Sequence, residues 1–190
     1  MLSLVALASC TRAPAQQREV MNAETVYQRY ARLEHDPAFE KAITDGAQHL
    51  SELAWMVGEW DVTVTAFPTP TTPEQKASFH TRFIQSRNGQ IASDDLTTIL
   101  VYDPFKARWM TAGSEPPLAP INVQTAMAAW DGRTLAFEGE NRILGETFVM
   151  RQTMTKTDAN TFEILNEQNT GNGYARVDLY HFERTPAPPQ

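Results

Sequence analysis

No run of this sequence is apolar over the roughly 18 residues that a membrane-spanning helix needs. Positive charge is scarce as well: 16 Lys and Arg stand against 23 Asp and Glu, for a formal charge of −7. That balance excludes the basic face on which non-specific nucleic-acid binding depends. Gly-x-Ser-x-Gly, the phosphate loop, the dinucleotide fingerprint and His-Glu-x-x-His are all missing. With them go the usual signatures of hydrolase, nucleotide and zinc-protease chemistry. The four histidines have no metal spacing, and no serine is spaced from a histidine as a nucleophile from its base. After Trp60 there is no helix-period segment. Cysteine occurs once, at Cys10.

What remains is the composition of a globular protein, 42% hydrophobic and 21% charged over 190 residues, enough for one domain and a tail. Its pivot is HLSELAWMVGEWDVTVTAFP, from His49 to Pro68. Leu50, Leu53, Ala54 and Val57 repeat with helical spacing. Beyond Gly58 the period becomes two, with Val62, Val64 and Ala66 on one face and Asp61, Thr63 and Thr65 on the other. The reading is a short helix plugging one end of a sheet, a glycine turn, and the first strand of an all-β domain.

Residues 1–21 read as a leader and flexible tether, 22–57 as a helical preface, 58–185 as the β domain and 186–190 as a tail. Within the preface, Asn22 to Leu33 suits one helix, stopped before Pro37. Ala38 to Met56 suits a second, with a break expected at Gly46. Strands then follow in quick succession. Asn88-Gly89 and Asp131-Gly132 mark tight hairpins, since both need φ > 0. Asp103-Pro104 marks a turn with proline in its favoured place. Gln90 to Tyr102 reads as one strand, and Ile121 to Trp130 alternates with Ile121, Val123, Thr125, Met127 and Ala129 on one face. About nine or ten strands joined by short turns make an antiparallel up-and-down meander, and closure into a single barrel hides its edges. The proline-rich segments 67–74 and 115–120 are long enough to frame a mouth opposite the helix.

Two resemblances bear on these residues. Leu7-Ala8-Ser9-Cys10 resembles the bacterial lipobox, in which a signal peptide is cut before a cysteine that then carries lipid. It implies a periplasmic protein lipid-anchored through Cys10, to the outer membrane because Thr11 is not Asp; the alternative is an ordinary N-terminal methionine on a disordered tail. Gly58-Glu59-Trp60 opening a meander, with Arg184 closing the last strand, resembles the lipocalin and wider calycin group. There the tryptophan lies across the closed end of the barrel and the arginine stacks on it. His49-x-x-x-Leu53, Tyr102-Asp103-Pro104 with Arg108-Trp109, and Trp130-Asp131-Gly132-x-x-Leu135 with Glu138-Gly139 are similar to uncharacterised bacterial lipocalin-like proteins, a group that implies a fold and no established activity.

Candidate chemistry is sparse. His49 is expected to bond locally, and His80 with Arg82 to sit on a solvated face. His181 shares a face with Val177 and Leu179, which could be the interior. Nitrobindin-like barrels, which this chain resembles in shape, hold haem through one late-strand histidine. The glycines that follow the tryptophan in that group are absent here, so a hydrogen-bonded barrel histidine is the simpler reading. Asp94 and Asp95, as strand neighbours, would point to opposite faces. Glu138 and Glu140 share a face, as a solvated rim or a cation site. Trp109, Met127, Phe137, Phe148 and Met150 are, with His181, the candidate ligand contacts; such side chains either line an adaptable apolar cavity or fill a solid barrel.

The functional expectation is binding of a small apolar molecule inside the barrel, without catalysis, metal or nucleic acid. Haem binding or enzymatic use of the same cavity is the first alternative. A filled barrel acting through its surface is the second.

Overall fold

The computed structural model describes residues 23–186, apart from 88, 96 and 116. The described residues up to Asp36 and those from Pro37 onward belong to two compact units. In the first, α1 (Ala23–Leu33) ends where the Asp36 amide donates to the Leu33 carbonyl at 2.9 Å. The next residue is Pro37, which disfavours helical backbone before it. Of the helical preface, only the part from Pro37 therefore joins the barrel unit.

In the second unit, α2 (Pro37–His49) and a 3-10 turn (Ala54–Met56) precede ten strands. These are β1 (Gly58–Ala66), β2 (Gln75–Gln85), β3 (Ile91–Ser93), β4 (Thr98–Asp103) and β5 (Arg108–Glu115), followed by β6 (Ala119–Ala126), β7 (Thr134–Ile143), β8 (Glu146–Lys156), β9 (Thr161–Asn169) and β10 (Tyr174–Arg184). Each strand pairs antiparallel with the next, and β1 pairs with β10, so the sheet closes into an up-and-down barrel. Closure leaves the sheet no terminal edge strand, though β6 and β7 pair at only two positions, Thr125 with Glu138 and Ala126 with Phe137. Since the strands alternate in direction, the loops after β2, β4, β6 and β8 lie at the α2 end, and 67–74 and 117–118 at the other.

The α2 end is solid. Leu53, Met56, Trp60, Trp109 and Phe162 are buried there. The Trp60 indole donates to the Met56 carbonyl at 2.7 Å and meets the edge of Phe162. Arg184, opposite Trp60 in the β1–β10 register, lies with its guanidinium carbon 4.2 Å from the ring centre. The same group donates to the Val57 carbonyl at 3.0 Å and to the Trp55 carbonyl. One side chain thus joins the last strand, the first strand and the plug. Gly58 makes room for it: its φ is +136°, and a Cβ there would collide with Arg184 Nη1.

Three local expectations are corrected. Gly46 does not break α2; it is buried where the helix crosses Pro104, and a Cβ would come 2.7 Å from the proline's own Cβ. The stretch from Gln90 to Tyr102 is two strands, because Asp95 builds a turn. Its Oδ1 accepts from Ser93 Oγ at 2.6 Å and from the Thr97 amide at 3.0 Å. Asp94 and Asp95 are turn residues rather than strand neighbours. In β6 the phase is reversed: Gln124 and Ala126 are buried, while Ile121 and Val123 face out, 74% and 50% exposed. Register explains it, since Gln124 lies opposite Thr111, two residues along the inward face from buried Trp109, and parity carries across every antiparallel pair.

Arg184→Ala strands two carbonyls and an indole face, and should cost about 2 kcal/mol, or roughly 4–8 °C of Tm by calorimetry. Gly58→Ala should cost about 1–3 kcal/mol by strain, and Arg184→Lys should recover under half of the arginine's contribution because it lacks the planar fork. On the outer face, His80 Nδ1 is 3.0 Å from Asp61 and Nε2 2.8 Å from Glu59. Those hydrogen bonds, Asp61 first, raise its pKa above the ordinary 6.5. The folded value exceeds the unfolded one, so this contribution to stability is full below about 6.5 and fades as pH rises through the folded value. An NMR titration of His80 should give a midpoint above 6.5, and the Tm deficit of His80→Gln should be larger at pH 5.5 than at pH 8.5.

Candidate functional site

Above the solid end the barrel is hollow. Two cavities of about 330 and 210 Å³ share Thr97, Thr98, Ser114, Gln152, Asn166 and Tyr180 as lining, and form one continuous lumen. The larger rests on Met56, Phe83, Leu100, Phe137, Met154 and Phe182. The smaller, nearer the other end, is walled by Thr111, Asn122, Gln124, Asn141, Met150 and Asp178. An apolar floor therefore passes into a polar throat. Volumes of this size suit a small ligand.

The floor follows from strand periodicity. Trp60, Val62 and Val64 face inward from β1 and pair with Arg184, Phe182 and Tyr180 of β10. On β9 the same face carries Phe162, Ile164 and Asn166; on β8 it carries Met154, Gln152 and Met150. On β9 the apolar residues lie toward the plug and Asn166 beyond them, while on β8 Gln152 lies between Met154 and Met150.

The throat is ordered by its own hydrogen bonds. Gln152 Nε2 donates to Asn166 Oδ1 at 3.2 Å, and Asn166 Nδ2 donates to Asp178 Oδ1 at 2.8 Å. Across the lumen Gln124 Nε2 donates to Asn141 Oδ1 at 2.9 Å. Among the described lining residues, Asp95 and Asp178 are the only charged ones. Burial pushes the Asp95 carboxyl up, but bonds from Ser93 and from the Thr97 amide and hydroxyl outweigh it and hold its pKa below the ordinary value.

The residues singled out from the sequence divide. Phe137 and Met150 line the lumen. Trp109 faces inward but sits below it, its indole donating to Glu52 Oε2 at 3.1 Å. Phe148 is half-buried on the Met150 face of β8. Met127 follows β6 and is 48% exposed, so it is no lumen contact. His181 is corrected as well: it pairs with outward Thr63 and lies on the outer face, between Glu163 at 3.2 Å and Glu183 at 3.3 Å. Haem ligation inside the barrel loses its candidate histidine.

His49 stacks on Tyr102 with ring centres 4.4 Å apart and bonds Glu52 at 2.6 Å, a contact of the plug. Glu138 accepts from the Tyr174 hydroxyl on the outer wall, where Arg151 lies over the Tyr174 ring and pairs with Glu167 at 2.7 Å. Among the described residues no group of three or more His, Cys, Asp or Glu side chains is placed to hold a metal ion. Cys10 and its lipobox-like neighbours lie outside the described residues.

Sequence reasoning missed the amides. Their signal was present: Gln152 falls between Met150 and Met154 in period two, and Asn166 continues Phe162 and Ile164. A polar residue at an inward position of a hollow barrel is a lumen residue, and it was passed over because inward was equated with apolar.

No protein-family description matches this chain, and no characterised protein matches it. Among solved structures, a redesigned β-barrel is similar over 71% of this chain and 96% of its own length, at 12% identity and a TM-score of 0.34. The fold, compatible with holding a ligand in its lumen, is a closed ten-stranded antiparallel barrel.

Proposed function

We propose that this protein is a lipocalin-like barrel that binds a small, mostly apolar molecule in its lumen and does no chemistry on it. The observation that carries the reading is the continuous lumen, with its apolar floor of Phe83, Leu100, Phe137, Met154 and Phe182 beneath an amide throat. Placing an apolar ligand on that floor removes its surface from water, at about 25 cal/mol per Å², and the ordered throat then fixes which end points out. The stacking of Arg184 on Trp60 beside Gly58 supports the lipocalin comparison. Lining groups are hydroxyls, amides, two carboxylates and apolar side chains; among the described residues no imidazole or amine stands beside Ser93 or Ser114 to activate a nucleophile. The filled-barrel alternative is disfavoured by the same volume.

The neutral fluorophore N-phenyl-1-naphthylamine reports on such a space. It should brighten on the protein and saturate at one equivalent. Ile164→Trp, which fills the floor from β9, should weaken binding at least tenfold while melting cooperatively. Met127→Trp, outside the lumen, should stay within twofold. Equal binding by wild type and a folded Ile164→Trp would remove the lumen as the site.

A further inference from the structure

The barrel wall is incomplete on one side. β2 runs from Gln75 to Gln85 but meets β3 only at Phe83, Ile84 and Gln85. β3 and β4 are short, and the chain turns back part-way up the wall. There the Asp94 amide donates to the Arg82 carbonyl at 2.8 Å, and beyond it β2 has no strand paired to it on this side among the described residues. Exposure places the opening. Val62 pairs with Phe79 on one side and Phe182 on the other, and Phe182 pairs with Phe162, so the four share one level of the inward face. Val62 is 1% exposed, Phe182 4% and Phe162 0%, whereas Phe79 is 47% exposed. Solvent coming down from the mouth would reach all four alike; reaching Phe79 alone, it comes through the wall beside β2. Phe79 lines the larger cavity, as do Asp95 and Thr97 of the β3–β4 turn. The thinly paired β6–β7 seam is sealed by contrast. Asn122 Oδ1 accepts from the Arg142 amide at 2.7 Å, its Nδ2 donates to the Arg142 carbonyl at 3.3 Å, and a Cβ on Gly139 would lie 2.8 Å from the Val123 carbonyl oxygen.

Resting on the lumen-binding reading, we infer that this side window is where the ligand enters and where its polar end stays. The barrel then takes single-chain amphiphiles whose neutral, hydroxyl-rich head is too bulky for the lumen. An enclosed cavity limits the whole of its ligand by volume; a window limits only the part that passes through it. The window opens where floor meets throat, since Thr97, Thr98 and Ser114 line both cavities. A chain laid on Phe83, Leu100 and Phe182 is therefore one step from solvent. The free edge of β2 supplies the polar contact. The Arg82 carbonyl points toward β3, so by the period of two the backbone groups of His80, Ser78 and Lys76 point the same way, into the window. Such an edge alternates donors with acceptors. Hydroxyls both donate and accept, and so match it at every position, whereas an ammonium only donates and a carboxylate only accepts.

Stopped-flow mixing of N-phenyl-1-naphthylamine with the full chain gives entry and exit rates. Displacement of the dye compares decanol with decyl maltoside, used below its micelle concentration. Decyl maltoside should bind within threefold of decanol, and Ile164→Trp should weaken both at least tenfold. Phe79→Ala widens the window and should raise entry and exit rates together, each at least threefold, with Kd held within threefold. Ala77→Trp, at the next inward position of β2 and exposed like Phe79, should lower both rates at least threefold. A loosened site would raise the exit rate alone, so the entry rate separates a route from a structural effect. Decanol binding more than tenfold tighter than decyl maltoside would overturn the inference and leave the lumen reading standing. So would rates unmoved by both β2 changes but slowed by Val177→Trp, which fills the smaller cavity, since entry would then lie at the mouth. If dye, decanol and decyl maltoside all fail to bind, both readings fall together. The comparison of the two decyl compounds in the unmodified protein stands even where a variant does not fold.

Discussion

Arg184 on Trp60 is the contact on which this barrel depends. An up-and-down sheet has two edges until its first and last strands meet, and each unpaired edge leaves a row of amides and carbonyls seeking partners. Here the β1–β10 ladder uses those groups, and the guanidinium adds what a ladder cannot. It covers the indole at 4.2 Å and caps carbonyls of residues 55 and 57, which belong to the plug and not to the sheet. Closure of the wall and attachment of the lid to the wall are one event. The glycine beside Arg184 follows from that, because any Cβ would occupy its place.

Once one end is solid, the rest of the lumen is a matter of what inward positions carry. Near the plug they carry large apolar side chains that meet one another: Phe162 and Phe182 stack with centres 4.1 Å apart, and Trp60 meets Phe162 at 4.8 Å. Farther along, the same strands turn Gln152, Asn166, Gln124 and Asp178 inward. Buried amides must be bonded, and in a space too wide to be bridged everywhere they bond sideways, from strand to neighbouring strand. The polar throat is therefore ordered before any ligand arrives, by the Gln152–Asn166–Asp178 chain on one side and the Gln124–Asn141 pair on another.

The outer wall shows what the barrel does with its remaining charges. His80 lies between Asp61 and Glu59, and His181 between Glu163 and Glu183. These are cross-strand and same-strand pairs on a solvated surface, where each interaction is weak, and Asp61 and Glu183 face each other directly in the β1–β10 register. Both histidines are thus accounted for without any role in the lumen. Ile121 and Val123 are apolar side chains on the same wall, there because β6 takes its phase from its neighbours.

Local pattern determined most of the strands, the helical plug and the meeting of Trp60 with Arg184, since each depends on a period or strand order that survives in one dimension; the tight hairpin expected at Asp131-Gly132 is a longer connection, with β6 ending at Ala126 and β7 starting at Thr134. Local pattern could not determine phase where polar and apolar faces exchange roles. Ile121, Val123 and Met127 read as one face of a strand, and His181 reads as a candidate lumen residue because Val177 and Leu179 are its neighbours. Whether β6 turns its amides in is decided by hydrogen-bond register passed from Trp109 through Thr111 to Gln124, a relation between strands. The hollow itself is likewise tertiary, for a lumen is what side chains of ten strands leave unfilled, and no single strand records that remainder.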